Sequence, residues 1–249
     1  MRRIDQPGDL KRYYQDQGVV DTYMQRRTGQ PLNGILHRGQ VRFLNRVLAS
    51  RRPRVVLEIA CGPGRLTAEM RGVQLGVAVD ASPAMLESAK HRLNGSTSRW
   101  TFLRTDAFVL PFRSEAFDVV YTLRFLRHFQ AADRQRLYGE IRRVLRPGAL
   151  LILDALNRDV SLPYRLRHGV EKYHIYDALY RQREIEAELQ TAGFRVAETE
   201  GILKHASLQR SLNRFRRLRM GRLAALLIGV LEHFPSRQPS TWMIVGEKI

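Results

Sequence analysis

The chain has 249 residues, 44% of them hydrophobic, so it can form one α/β domain with a sizeable core but hardly two full domains. Its formal net charge is +18, mostly from arginine, which favours anionic partners such as nucleic acid, phosphorylated molecules or acidic lipid. A genome rich in arginine codons is the alternative explanation. One cysteine excludes an internal disulfide, the N-terminal residues contain no apolar run typical of a secretory signal, and the longest apolar run, residues 223–231, is about half the length of a membrane span. These features predict a cytoplasmic protein.

The first 50 residues predict helices. Val41, Leu44 and Leu48 recur at helical spacing, and prolines and glycines near residues 7 and 31 interrupt the pattern. Two or three short helices are therefore expected before the first strand.

From residue 55 onwards, short apolar runs alternate with amphipathic segments, which is typical of a parallel sheet built from strand–helix–strand units. Helices are expected from about Leu66, from Pro83 with Ser82 as the N-cap, over 133–145 with a stop at Pro147, and over 183–192. Residues 157–180 are polar and irregular. Seven strands are predicted, over residues 55–60, 75–79, 100–103, 117–121, 149–153, 194–198 and 241–246.

The most informative segment is residues 55–64, VVLEIACGPG. A buried strand leads into a tight turn, where Ala60, Gly62 and Gly64 are small enough for a ligand to approach the backbone closely. A glycine-rich turn alone is a weak signal, because dinucleotide-binding proteins share it.

Two carboxylates follow the next strands. Asp80 ends the second predicted strand, where a carboxylate can accept hydrogen bonds from both ribose hydroxyls of a nucleoside, and Asp106 follows the third, where it can accept from an adenine amino group. Because the carboxyl ends of parallel strands meet at one edge of a sheet, the turn and both carboxylates are expected to line one binding crevice.

Five motifs in order carry a family resemblance: EIACGPG, VDASPAML, RTDAFVLPF, FDVVYTLRFLRHF and RRVLRPGALLILD. With them the chain resembles the class I S-adenosylmethionine-dependent methyltransferases, in the methyltransferase type 11-like branch that acts on small molecules. The resemblance implies a Rossmann-like, doubly wound α/β fold whose seven-stranded sheet is mostly parallel and whose last strand is antiparallel. It also implies a single domain over 1–249, with a helical lid at 1–50 and cap segments at 156–182 and 200–240.

The resemblance assigns S-adenosylmethionine as cofactor and implies a contact for each matching residue. Ala60 stands where the family usually has its first glycine, a change that is tolerable but weakens or redirects cofactor binding. Each of four assignments has a structural alternative. Glu58 could pair structurally, and Asp80 could be a turn residue. Asp106 could be an N-cap, and Met85 could belong to the core. The implied contacts are Glu58 at the methionine end, directly or through water; Ala60 and Gly62 along the cofactor; Asp80 at the ribose; Ala81 and Met85 beside the adenine; Asp106 and Ala107 at its amino edge; and Leu123 near the sulfur.

His128 is the candidate catalytic residue. The methyl donor already has an excellent leaving group, so alignment supplies much of the acceleration, and an oxygen or carbon acceptor also needs a base. His128 follows the fourth strand on the expected acceptor side; ordering of the loop is its alternative role. Arg124 in the same segment is a candidate for binding an anionic group of the substrate, with a solvated surface arginine as the alternative.

Aromatic and basic side chains in two segments are candidates for the substrate pocket, with packing as the alternative for each. In relatives the N-terminal helices cover the cofactor and place an aromatic ring near the sulfonium. The seven histidines form no metal-ligating pattern, so no metal is expected. The candidates are Tyr13, Tyr14, Tyr23 and Arg27 in the lid, and Lys172, Tyr173, His174 and Tyr176 between the fifth and sixth strands.

Residues 207–234 combine arginines with an apolar continuation. Leu208, Leu212, Phe215 and Leu218 share one helical face, which favours a cap over the pocket or a homodimer seam. Peripheral contact with an anionic membrane is the second interpretation and RNA binding the third, because no recognised RNA-binding module accompanies the segment.

Three functions remain open. The first hypothesis is methyl transfer to a small molecule that is lipophilic or anionic. The sequence does not determine whether the methylated atom is oxygen, nitrogen or carbon. The charge motivates an RNA methyltransferase, but the fourth strand is followed by YTLR and not by the Asn-Pro-Pro-Tyr-like motif that base-amino methylation favours. A non-catalytic scaffold that binds S-adenosylmethionine is the third.

Overall fold

The computed structural model describes residues 4–28, 31–94, 100–213, 221–232, 234, 236 and 238–249. Within them one sheet has the strand order β3-β2-β1-β4-β5-β8-β7, and β6 pairs with the end of β5. The strands are β1 Val55–Ile59, β2 Leu75–Asp80, β3 Trp100–Arg104, β4 Phe117–Thr122, β5 Leu145–Asn157, β6 Leu179–Tyr180, β7 Phe194–Ile202 and β8 Thr241–Lys248.

Helices cover both faces of the sheet. Short 3-10 turns occur at Thr67–Glu69, Leu126–His128 and Val170–Lys172. The α-helices are α1 Pro7–Gln15, α2 Gln17–Thr28, α3 Pro31–Arg51, α4 Pro83–Leu93, α5 Ala131–Val144, α6 Arg158–His168, α7 Gln182–Thr191, α8 Ala206–Asn213 and α9 Gly221–Leu231.

The doubly wound α/β fold is confirmed. Strands β1 to β5 pair in parallel, whereas β8 lies antiparallel between β5 and β7. The seven predicted strands are present, and the two-residue strand β6 makes an eighth that is too short to give a periodic signal.

The two-residue period of the strands divides the core into two layers. In β1, Val56 packs with Leu44 in the layer beneath α3. Leu57, which points to the opposite face, packs with Ile141 of α5. Neighbouring side chains of β1 therefore lie on opposite faces of the sheet, and those on the face of Val56 are enclosed beneath α3.

The N-cap prediction at Ser82 is confirmed, since its Oγ accepts a hydrogen bond from the Met85 backbone N–H at 3.3 Å. The helix expected from Leu66 is wrong, because only the 3-10 turn forms there. Asn45 of α3 accepts from the Arg71 N–H at 2.8 Å and donates to the Glu69 carbonyl at 2.9 Å. These bonds hold the chain extended into β2.

Two further boundaries differ from prediction. The strand β5 begins at Leu145, so Pro147 and Gly148 lie inside it, where the register with β4 shifts and Gly148 has a φ of +72°. The segment 157–180, predicted as irregular, contains α6, whose N-cap Asn157 accepts from the Asp159 N–H at 3.0 Å. Among the described N-terminal residues there are three helices, where two or three short ones are predicted, but α3 extends over 21 residues and is not short.

In the described ranges, no helix combines the length and apolarity needed to cross a bilayer.

Candidate active site

A cavity of about 340 Å³ opens at the carboxyl edge of the sheet, between the ends of β1 to β4 and the helices α1 and α2. All but one of the residues predicted to contact the cofactor line it, and Glu58 is the exception. Met85 serves both of its proposed roles, because it is buried in the core and also borders the cavity. The lining members of the predicted set are Ala60, Gly62, Asp80, Ala81, Met85, Asp106, Ala107 and Leu123.

The turn after β1 is built from left-handed residues. Gly62 has a φ of +55°, and a Cβ there would meet no protein atom within 4 Å, so its backbone is free for a ligand to approach. A Cβ on Gly64 would lie 3.0 Å from that of Ala89, so Gly64 allows the turn to pack on α4. Ala60 has a φ of +56°, a conformation that costs an alanine about 1–2 kcal/mol and a glycine almost nothing.

Asp80 is fixed by the backbone. Its Oδ2 accepts from the Gly62 N–H at 2.8 Å and its Oδ1 from the Ser82 N–H at 2.9 Å. Burial raises the pKa of this carboxyl above its ordinary value, and the backbone hydrogen bonds offset part of that rise. Each oxygen has a second lone pair, so the oriented carboxylate fits a vicinal diol such as a ribose.

Asp106 closes a local turn and contacts α1. Its Oδ1 accepts from the Phe108 N–H at 3.0 Å, and its Oδ2 lies 3.2 Å from Lys11 Nζ. The residue is therefore not the cap of an α-helix. Gln15 adds a second contact from α1, donating to the Ala81 carbonyl at 3.1 Å. Helix α1 is thus attached to the two segments where the adenosine would lie.

Glu58 lies behind the glycine turn. Its Oε2 accepts from Thr67 Oγ1 at 2.5 Å and from Tyr121 OH at 2.7 Å. Burial raises the pKa of this carboxyl to about 7, although both hydrogen bonds oppose the rise. The structure supports the pairing role for Glu58, because its carboxylate does not line the cavity.

His128 lines the cavity and is oriented from behind. Its Nδ1 lies 2.9 Å from the Tyr176 carbonyl oxygen and 3.1 Å from Asp177 Oδ1. Two acceptors on one side favour the tautomer with the proton on Nδ1, which leaves Nε2, on the other side of the ring, as a proton acceptor toward the cavity. The residue therefore orders the loop and also has the geometry of a base.

Asp177 was not among the sequence candidates. It also lies 3.1 Å from Arg127 Nε, and it accepts from an Arg165 guanidinium nitrogen at 2.5 Å. Although burial opposes it, the charge of Arg127 and the contact with His128 hold the pKa of Asp177 well below its usual range. Asp177 is therefore a permanently charged partner for His128.

Arg124 follows β4 in a left-handed conformation, with a φ of +63°. Its backbone N–H donates to Asp154 Oδ1 at 2.5 Å, and its side chain lines the cavity. The Nε atom is buried and makes no hydrogen bond within the described structure.

The two segments of candidate pocket side chains differ in outcome. Tyr14 and Tyr23 line the cavity, with ring centroids 6.4 Å apart. Tyr13 does not; it packs on Tyr14 and on His174, with its centroid 5.6 Å from the His174 ring. The Arg27 side chain lies outside the described residues.

None of the residues of the segment 172–176 lines the cavity, so their predicted role at the substrate pocket stays a prediction. Ile4 pairs with this segment, donating to the His174 carbonyl at 2.7 Å and accepting from the Tyr176 N–H at 2.8 Å. Tyr173 packs under the Arg165 guanidinium, 4.3 Å from its ring centroid. Lys172 ends the 3-10 turn that precedes Tyr173. The segment supports His128 from outside the cavity.

Sequence reasoning also missed the apolar walls. Leu10 of α1 and three phenylalanines border the cavity. The segment FLRHF supplies two of the rings, and its aromatic content beside His128 was the available signal. Among the described residues, no three side chains converge as metal ligands. The three rings are Phe108, Phe125 and Phe129.

Comparisons with known proteins agree with this geometry. The family described as "Methyltransferase domain" matches residues 56–148. A demethylmenaquinone methyltransferase of Porphyromonas gingivalis is 30% identical over 145 residues, 56% of this chain and 58% of the relative. A ubiquinone biosynthesis O-methyltransferase of Brucella anthropi is 30% identical over 158 residues, 59% of this chain and 62% of the relative. The chain thus matches less than two thirds of the length of these relatives.

Solved structures share the fold. The magnesium protoporphyrin IX methyltransferase ChlM of Synechocystis PCC 6803, solved with bound SAH, superposes with a TM-score of 0.70 at 15% identity, over 98% of this chain and 100% of its own. A Haloferax volcanii methyltransferase in complex with the Trm112 activator has a TM-score of 0.60 at 21% identity, over 96% of each chain. Residues 56–148 thus match a methyltransferase domain, and the described chain has the fold of solved methyltransferases.

Proposed function

We propose that this chain transfers a methyl group from S-adenosylmethionine to a small-molecule acceptor. The observation that carries the proposal is the presence in one cavity of an oriented carboxylate, Asp80, and an oriented imidazole, His128. The names of the relatives, which include quinone-pathway methyltransferases, support a small and lipophilic acceptor.

The residues present fit the cofactor. Asp80 would bind the ribose hydroxyls. Gly62, which has no side chain, would let the cofactor approach the protein backbone closely. Asp106 and Ala107 would contact the amino edge of the adenine. Leu123 would pack beside the sulfur. When bound, the cofactor supplies a methyl group on an excellent leaving group.

His128 would accept the acceptor's proton at Nε2 as the methyl group is transferred. Asp177, charged and in contact with Nδ1, would stabilise the imidazolium that forms and keep the ring in one orientation. General base catalysis of this kind contributes about 10²–10⁴-fold in rate. This step is needed for an oxygen or carbon acceptor, whose proton must leave.

The cavity walls would exclude water. Tyr14 and Tyr23 from the N-terminal helices would place aromatic rings over the cofactor, where the face of a ring attracts a sulfonium. The phenylalanines beside His128 would favour an acceptor with an apolar body.

The non-catalytic scaffold predicts no need for a supported base, so the His128–Asp177 contact favours the enzyme. The test is release of S-adenosylhomocysteine from S-adenosylmethionine when a panel of small phenols and carboxylic acids is added. We expect acceptor-dependent release that is lost in His128→Ala but kept in His91→Ala, an exposed histidine on α4. Equal release by the wild type and His128→Ala would contradict the proposed mechanism.

A further inference from the structure

A group of charged side chains with more positive than negative members adjoins the cavity at the turn after β4, and of these Arg124 lines the cavity. Five side chains form this group, hereafter the charge cluster: Arg124, Arg127, Arg165, Asp154 and Asp177. Arg127 and Arg165 pair with Asp177, and Arg127 also lies 3.8 Å from Asp154 Oδ2. Three arginines thus face two aspartates.

Arg124 is the member whose guanidinium has no carboxylate partner in the described structure. Asp154, its nearest acidic neighbour along the β5 edge, accepts from the Arg124 backbone N–H and not from the guanidinium. A buried guanidinium nitrogen without a hydrogen bond destabilises the fold, and the left-handed backbone adds strain. Such costs at a cavity wall indicate a group reserved for a ligand.

We propose that Arg124 binds a carboxylate of the methyl acceptor, an inference that rests on the proposed function. Arg124 and His128 lie on the same segment after β4, whereas the glycine turn and Asp80 follow β1 and β2. An anion on Arg124 therefore lies beside the base and neutralises the excess charge of the cluster. The acceptor class is a small, largely apolar carboxylic acid.

The cofactor's own methionine carboxylate is the other source of such an anion, and calorimetry separates the two. Benzoate and neutral benzamide are titrated into protein saturated with S-adenosylhomocysteine. We expect benzoate to bind at least ten-fold more tightly than benzamide, and Arg124→Gln to abolish this preference. Arg113→Gln, which removes an exposed arginine outside the cavity, is the matched control and is expected to keep the preference for benzoate over benzamide. Arg124→Lys, which retains the charge, restores part of it.

S-adenosylhomocysteine and 5′-methylthioadenosine, which lacks the carboxylate, are titrated into the same variants. Unchanged affinity of Arg124→Gln for both supports the acceptor site. A selective loss of S-adenosylhomocysteine affinity would assign Arg124 to the cofactor and overturn the inference, as would equal binding of benzoate and benzamide by the wild type. Failure of the wild type to bind S-adenosylhomocysteine at all would instead contradict the proposed function.

A second, independent observation concerns α9. Leu226 is 63% exposed and Val230 46% exposed; they share one face of α9 with two further exposed leucines, and an exposed phenylalanine follows the helix. Ile228, on the other side of the helix, is buried in the layer beneath α3. The helix is therefore docked through one face and presents an apolar stripe on the other. The stripe consists of Leu223, Leu226, Leu227, Val230 and Phe234.

The charge of the sequence next to the stripe indicates which partner would bind there. Residues 207–231 contain six arginines and no acidic residue, and the chain carries +18 overall. A second copy would bring like charge to the stripe, and RNA would use the arginines but not the leucines. An anionic lipid surface satisfies both features, because its acyl chains accept the exposed leucines and its headgroups attract a chain of net charge +18. We infer that α9 seats the protein on anionic membranes. The arginine side chains, with Leu212, Phe215 and Leu218, lie outside the described residues.

Vesicle sedimentation tests this inference. Phosphatidylcholine vesicles are compared with vesicles containing 30% phosphatidylglycerol, for the wild type and for the double variant Leu226→Gln, Leu227→Gln. We expect binding to the anionic vesicles only, reduced at least ten-fold in the double variant. Val109→Gln, an exposed valine 73% accessible and distant in sequence, is the matched control and leaves binding unchanged.

Both leucines are exposed, so the double variant is expected to keep its circular dichroism spectrum. Equal binding to both vesicle types, or full binding by the double variant, would overturn the inference. A wild-type dimer in sedimentation velocity that the double variant loses would identify the stripe as a dimer seam instead.

Discussion

His128 Nδ1 lies 3.1 Å from Asp177 Oδ1, and this contact joins the turn after β4 to the segment that leads into β6. The same nitrogen lies 2.9 Å from the Tyr176 carbonyl oxygen. The contact fixes the ring against a charged group and directs Nε2 toward the cavity. Under the proposed mechanism, this contact is what a catalytic site has in addition to a cofactor-binding crevice.

Replacement of His128 tests that feature. We expect His128→Ala to lower kcat by about 10²–10⁴-fold with any hydroxyl acceptor that the wild type methylates, because the proton loses its acceptor. The affinity for S-adenosylhomocysteine in calorimetry stays within about two-fold. Retention of the full kcat would remove His128 as the base, and a parallel loss of cofactor affinity would indicate a structural role.

Glu58 makes stability depend on pH. Its pKa is about 7 in the folded protein and close to 4.5 when unfolded, so the folded state holds one more proton between these values. The free energy of unfolding therefore falls as pH rises through this window, by about 3 kcal/mol in total at about 1.4 kcal/mol per unit.

Glu58→Gln mimics the protonated carboxyl and removes this dependence. Urea denaturation at pH 5 and pH 8 measures it: the variant gains stability relative to the wild type as pH rises. A constant difference between the two proteins across this range would contradict the buried, raised carboxyl.

Ala60 is a site where a smaller residue stabilises the fold. Ala60→Gly relieves the left-handed strain of about 1–2 kcal/mol and loses part of that gain to the entropy of the unfolded chain, so we expect a net gain of about 0.5–1 kcal/mol in thermal denaturation. Ala187→Gly, at an exposed position in the interior of α7, is the control and costs about 1 kcal/mol. Destabilisation by Ala60→Gly would show that the methyl group packs productively.

The sequence predicts the parts of this site that depend on local patterns. The strand ends, the Ser82 cap and the glycine turn follow from period and residue type, so the positions of Gly62 and Asp80 at the sheet edge could be predicted from the residues alone. The position of Asp177 could not be predicted in this way, because its contact with His128 depends on how the chain after α6 returns to the sheet.

For Glu58, the alternation of side chains along β1 and the family resemblance predict different positions. Alternation along β1 puts its side chain on the face of Val56, toward α3 and Tyr121, away from the cavity. The pairing of Ile4 with the segment 172–176 is the opposite case, because no local pattern in the sequence indicates it.

The central claim is that a nucleoside lies across the carboxyl ends of β1 to β3 with its ribose on Asp80. Isothermal titration of S-adenosylhomocysteine tests it most directly, with wild type, Asp80→Ala and the control Asp133→Ala, which removes a carboxylate on α5 outside the cavity. We predict binding by the wild type and the control and a loss of about 100-fold or more in Asp80→Ala, the equivalent of two charge-assisted hydrogen bonds. Equal affinity in all three proteins, or no binding by the wild type, would contradict the account.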